Sequence, residues 1–103
     1  MALKPNTRPF TLLRSSELGP GPVWELPDDR GTTLYQLELP PGAVVTLYAS
    51  LDGKRFHPIR HASYSQMVSH HEPHRYVRAD YRLYNDPCVL EVPEVEVICT
   101  WGK

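Results

Sequence analysis

The residues best equipped for chemistry sit in one short run. His70-His71-Glu72-Pro73-His74 gathers three imidazoles and a carboxylate within five positions, and His57 and His61 precede it. Imidazoles and carboxylates at close spacing can hold zinc, which needs three or four ligands converging at about 2.0 to 2.3 Å on a rigid frame. The spacing here matches no metal motif, and Pro73 forbids the helix that would align His70 with His74. The residues therefore predict no metal site and no cofactor, but a solvated loop or interface segment whose charge changes near neutral pH. Nucleophilic catalysis has raw material in Ser63, Ser65, Ser69, the histidines and Asp80, but no sharp turn presents a serine, so no catalytic residue is assigned. Gly-rich phosphate loops, paired catalytic carboxylates and nucleotide fingerprints are absent from the sequence.

Two cysteines, Cys88 and Cys99, are too few for a disulfide framework. Their surroundings read as a closing hairpin, Cys88 to Val92 against Val95 to Trp101. If Val92 faces Val95, then Leu90 faces Val97, Cys88 faces Cys99, and Glu91 meets Glu96 on the other side. That register favours two small buried thiols over a strained cross-strand bridge. It also calls for a cation beside the two glutamates, for which Arg78 or Arg82 is the candidate.

The elements that must position these groups are strands. The chain has 103 residues, 41% of them hydrophobic, enough for one compact domain. Its 11 prolines and 6 glycines are spread along it and favour short strands and turns over helices. Eleven basic against 12 acidic residues leave a formal charge of −1, with no global field for a polyanion, so neither nucleic acid nor membrane is the expected partner. The N-terminus MALKPNTRPFTLL lacks an apolar run of signal-peptide or membrane-span length, which predicts a protein made in the cytoplasm.

Residues 1 to 31, rich in proline, read as an extended arm or edge strand with Phe10 and Trp24 as anchors, and residues 32 to 103 as the main domain. Thr32 to Leu39 alternates Thr33, Tyr35, Leu37 and Leu39 against Leu34, Gln36 and Glu38. Ala43 to Phe56 reads as a hairpin: Val45, Leu47 and Ala49 share one face, Asp52 and Gly53 supply the turn, and Lys54 to Phe56 begin the return strand. His57 to His74 reads as the longest loop. Arg75 to Tyr84 alternates again, with Val77, Ala79, Tyr81 and Leu83 inward and Tyr76, Arg78, Asp80, Arg82 and Tyr84 outward. Tyrosine and arginine dominate that outer face, as they do in protein interfaces and sugar platforms. The expected fold is all-β, an antiparallel β-sandwich or jelly-roll of about seven or eight strands.

The segment VTLYASLDGKRFHPI, a strand running into Ser-x-Asp-Gly-x-x-aromatic, is followed about twenty residues later by RYVRADYRL. This pairing resembles small β-sandwich proteins of bacteriophage virions, and also discoidin-type and other carbohydrate-binding sandwiches. The first resemblance implies a non-enzymatic structural protein of the virion, most simply a capsid decoration or cement subunit. Its partners would be capsid or tail proteins of the same particle and further copies of itself. The interface candidates are then Phe10, Trp24, Tyr76, Arg78, Arg82, Tyr84, His70, His71 and His74. The second resemblance implies a sugar held by Tyr76, Tyr84 and the histidine-bearing loop, although this chain is short for such families.

Overall fold

A computed structural model describes residues 8–84 and 91–103. Among the described residues there are nine strands and no helix: β1 (Phe10–Ser15), β2 (Gly19–Pro20), β3 (Trp24–Glu25), β4 (Thr32–Glu38), β5 (Ala43–Ser50), β6 (His57–Ala62), β7 (Gln66–His70), β8 (Tyr76–Leu83) and β9 (Val95–Gly102). They form two antiparallel sheets, one in the order β1-β9-β4-β7 and the other in the order β2-β8-β5-β6, with β3 also pairing with β8. The sheets pack face to face as a β-sandwich. Their inner faces come from the alternating residues of β4, β5, β8 and β9: Tyr35, Leu37, Val45, Leu47, Val77, Ala79, Tyr81, Val95 and Val97 are all within 1% of complete burial.

The proline-rich beginning of the chain supplies an edge to each sheet. Strand β1 lies beside β9 with a bulge at Leu12, the extra residue between the pairs Thr11–Ile98 and Leu13–Val97. One inserted residue turns two consecutive side chains the same way, and so both Leu12 and Leu13 reach the core. Residues 19 to 26 then run along β8 as two short pairings, joined by Gly21 N donating to the Ala79 carbonyl at 2.7 Å and Leu26 N to that of Arg75 at 2.7 Å. Pro20 and Pro22 lack the amides a longer ladder would need.

Three expectations change. The His57–His74 stretch is not a long loop but contains β6 and β7, one in each sheet. Both are outermost strands, flanked by solvent, and so neither needs the regular apolar alternation that marks β4 and β8. The return strand of the central hairpin begins at His57, because Lys54 and Arg55 are still bound into the turn by Asp52. Finally, both edges of β9 are occupied, by β1 on one side and β4 on the other, so Cys99 lies opposite Phe10 and Tyr35. The first strand of the hairpin expected between Cys88–Val92 and Val95–Trp101, with Cys88 and Leu90, lies mostly outside the described residues. The cation beside Glu96 is Arg14 of β1, whose Nε lies 4.0 Å from Glu96 and 3.2 Å from Glu94. Arg78 and Arg82 are engaged elsewhere.

Candidate functional site

The turn after β5 is built by one carboxylate. Asp52 Oδ1 accepts hydrogen bonds from the amides of Lys54 (2.8 Å) and Arg55 (2.9 Å) and from Ser50 Oγ (2.9 Å), while Gly53 N donates to Ser50 Oγ at 3.0 Å. The two backbone donors, Arg55 first, hold the Asp52 carboxyl well below the usual carboxylate range. Gly53 sits at φ +76°, and a Cβ there would meet the Tyr76 ring at 3.2 Å. Substituting Gly53→Ala is expected to cost about 1 to 2 kcal/mol, from the left-handed backbone and the crowded ring together. Urea unfolding measures this directly.

This turn forms one wall of a cleft of about 520 Å3 at the open side of the sandwich, between residues 49–59 and 70–74. Asp52, Arg55 and His57 face His70, Glu72 and His74 across it, and Ala49 and Ile59 add apolar lining. The histidines are not equivalent. His71 is exposed and His70 is half-buried, whereas His74 is only 1% exposed. The expectation of a solvated loop or interface segment is corrected here for His74, because the fold buries the ring and satisfies both of its nitrogens. Nδ1 lies 2.5 Å from the Glu72 carbonyl and Nε2 lies 3.0 Å from Thr33 Oγ1, which in turn lies 2.9 Å from the Tyr35 hydroxyl.

A carbonyl can only accept, so Nδ1 carries the proton and Nε2 accepts from Thr33, whose oxygen then accepts from Tyr35. The chain Tyr35–Thr33–His74–Glu72 is closed with a neutral imidazole. Burial holds His74 below its ordinary value of 6.5, against the opposing pull of the Glu72 carbonyl. Burial also lowers His70, helped by the His74 ring, whose centroid is 4.6 Å away in an edge-on arrangement. Thr33 and Tyr35 belong to the site although the sequence marks them only as core positions. Their sole sequence signal is a polar Thr and a phenol two residues apart on one buried face.

The remaining candidates fall in other places. Tyr76 and Arg78 are half-buried under the chain's own loops: the Tyr76 ring abuts Gly53, while Arg78 donates to the Gly21 carbonyl at 2.7 Å and lies 5.6 Å above the Phe56 ring. Arg82 is paired with Asp80 at 2.9 Å, and Tyr84 is well exposed. Phe10 of β1 and Trp24 of β3, one from each sheet, meet with tilted rings 4.9 Å apart, at the edge of the first sheet opposite to β7 and His70. Trp24 Nε1 donates to the Leu12 carbonyl at 3.1 Å, which ties the 19–26 segment to β1.

Four of the side chains with catalytic potential are committed to the fold. Ser65 Oγ is bound to the backbone of Leu39, Asp80 to Arg82, Asp52 to its turn and His74 to Thr33. Cys99 is buried in the core, which pushes its thiol up to about 12. Among the described residues no three histidine, cysteine or acidic side chains converge as metal ligands. What the cleft still offers a partner is His57, His70, Arg55 and Glu72, a polar rim of mixed charge. No family model matches the chain, and neither a curated protein nor a solved structure does.

Proposed function

We propose that the chain is a non-enzymatic structural protein of a bacteriophage virion, a decoration or cement subunit that binds neighbouring capsid proteins. The observation that carries this reading is the division of labour among its side chains. Asp52, Ser65, His74 and Asp80 are used internally, while large apolar groups stand exposed on the outer face of the β1-β9-β4-β7 sheet, where Leu34 is 43% and Met67 67% exposed. Apolar groups presented on a rigid sheet suit protein contact. A subunit bound across capsid protomers stabilises the assembled shell by linkage, since it binds the shell and not its dissociated parts.

Particles lacking the chain should accordingly release their nucleic acid at a lower temperature than complete ones, and adding the purified protein back should restore the difference. Unchanged heat tolerance, with no added protein retained on the particles, would overturn the proposal. A carbohydrate-binding role draws on a separate feature, a groove of about 340 Å3 lined by Phe10, Trp24, Pro27 and Trp101. Aromatic faces of this kind stack on sugar rings, and a glycan array without hits would dispose of it.

A further inference from the structure

Each sheet of a sandwich has two edges, and an unpaired edge is a template for another strand unless it is guarded. Three of the four edges here carry guards. Strand β1 has the bulge at Leu12, Pro9 immediately before it and the charged Arg14. Strand β6 contains Pro58 and Arg60 and pairs with β5 through a bulge. Strands β2 and β3 are two residues each and interrupted by Pro22. Strand β7, Gln66-Met67-Val68-Ser69-His70, has no proline, lysine, arginine or acidic residue, and it pairs with β4 in unbroken register. No strand pairs with its far side among the described residues.

We infer that β7 is a self-pairing edge, which joins two copies of this chain through antiparallel β7–β7′ pairing about Val68 into one continuous eight-stranded sheet. This inference deepens the reading as an assembly subunit, and rests on it, by naming a second copy as one partner. Centring the pair on Val68 engages all five residues and keeps the faces in phase. The inward residues Gln66, Val68 and His70 meet His70′, Val68′ and Gln66′, and the outward Met67 and Ser69 meet Ser69′ and Met67′. A shift by one residue would put buried side chains opposite exposed ones, and a shift by two would pair fewer residues. Self-pairing is unopposed electrostatically, because β7 has no lysine, arginine or acidic residue, burial disfavours the charged form of its one histidine, His70, and the chain's formal charge is only −1. Leu34 lies opposite Ser69 and Gln36 opposite Met67 within each copy, so the exposed Leu34 and Met67 of both copies would form one apolar strip across the junction.

The test is sedimentation equilibrium at pH 8 of the wild type and two double variants at exposed positions of β7. The wild type should dimerise. Met67→Lys with Ser69→Lys sets lysines opposite lysines at two symmetry-related places and should raise the dimer dissociation constant about thirtyfold or more. Met67→Lys with Ser69→Glu sets each lysine opposite a glutamate of the other copy and should restore dimerisation. A monomeric wild type overturns the inference, as does a lysine–lysine variant that still dimerises like the wild type or a lysine–glutamate variant that stays monomeric. A monomer that nevertheless binds particles and protects them from heat would remove β7 pairing while leaving the structural-subunit reading in place. A dimer that does neither would do the reverse.

Discussion

Replacing His74 with alanine is expected to lower stability by about 3 kcal/mol, equivalent to a fall in Tm of about 15 °C for a domain of this size. The substitution removes a fully buried ring and takes from Thr33 Oγ1 and the Glu72 carbonyl the partner that the imidazole supplies to each. It should also change how stability depends on pH. The unfolded chain takes up a proton at His74 near pH 6.5, whereas the folded protein does so only at lower pH, because burial disfavours the charged ring. Between those two values the unfolded state binds more protons. The stabilisation is therefore fully present above about pH 6.5 and drains away as pH falls, by at most about 1.4 kcal/mol per pH unit for this group. His70, lowered chiefly by burial as well, adds a slope of the same sign. Urea unfolding between pH 8 and pH 5 should show a steeper loss in the wild type than in His74→Ala; parallel curves would contradict the neutral, closed hydrogen-bond chain.

The second large effect belongs to Gly31. A Cβ at this position would overlap the indole Nε1 of Trp101 and lie 2.9 Å from the carbonyl oxygen of Gly102. Trp101 is almost wholly buried on β9 and cannot swing aside, and the carbonyl belongs to the backbone, so neither neighbour can yield cheaply. Gly31→Ala should cost about 3 kcal/mol. Thermal unfolding followed by tryptophan fluorescence would register both the lower Tm and a changed indole environment. A variant as stable as the wild type would mean that β4 and β9 are held less closely at this end than their pairing of Thr32 with Gly102 implies.

How far the sequence carries the fold depends on where each strand lies in its sheet. Strands β4, β5 and β8 have one face against the core and show it as plain alternation, so their inward sets were legible residue by residue. Strands β6 and β7 were not, because an edge strand with few core contacts has little to alternate, and Pro58 together with the histidines resembles loop composition. Strand β9 illustrates a different limit. Its period of two identifies the inward residues Val95, Val97, Cys99 and Trp101, but it says nothing about which strands flank it. Partners near in sequence were favoured over β1 and β4, which lie more than fifty residues away. The Asp52–Gly53 turn was legible because turn chemistry is local. The burial of His74 was not, since its partner Thr33 is 41 residues distant and only the assembled sheets bring the two together. The tyrosine and arginine face of β8 was correctly placed outward, yet the sequence could not tell that the 19–26 segment and the turn at Gly53 would cover Tyr76 and Arg78.

The structural-subunit reading makes a demand on the particles themselves. The most direct measurement is quantitative mass spectrometry of virions purified by density gradient from the strain that carries the gene, with this chain measured against the major capsid protein. The account predicts a fixed copy ratio that survives repeated banding. Absence of the chain from banded particles, or an amount that falls with every wash, would contradict it.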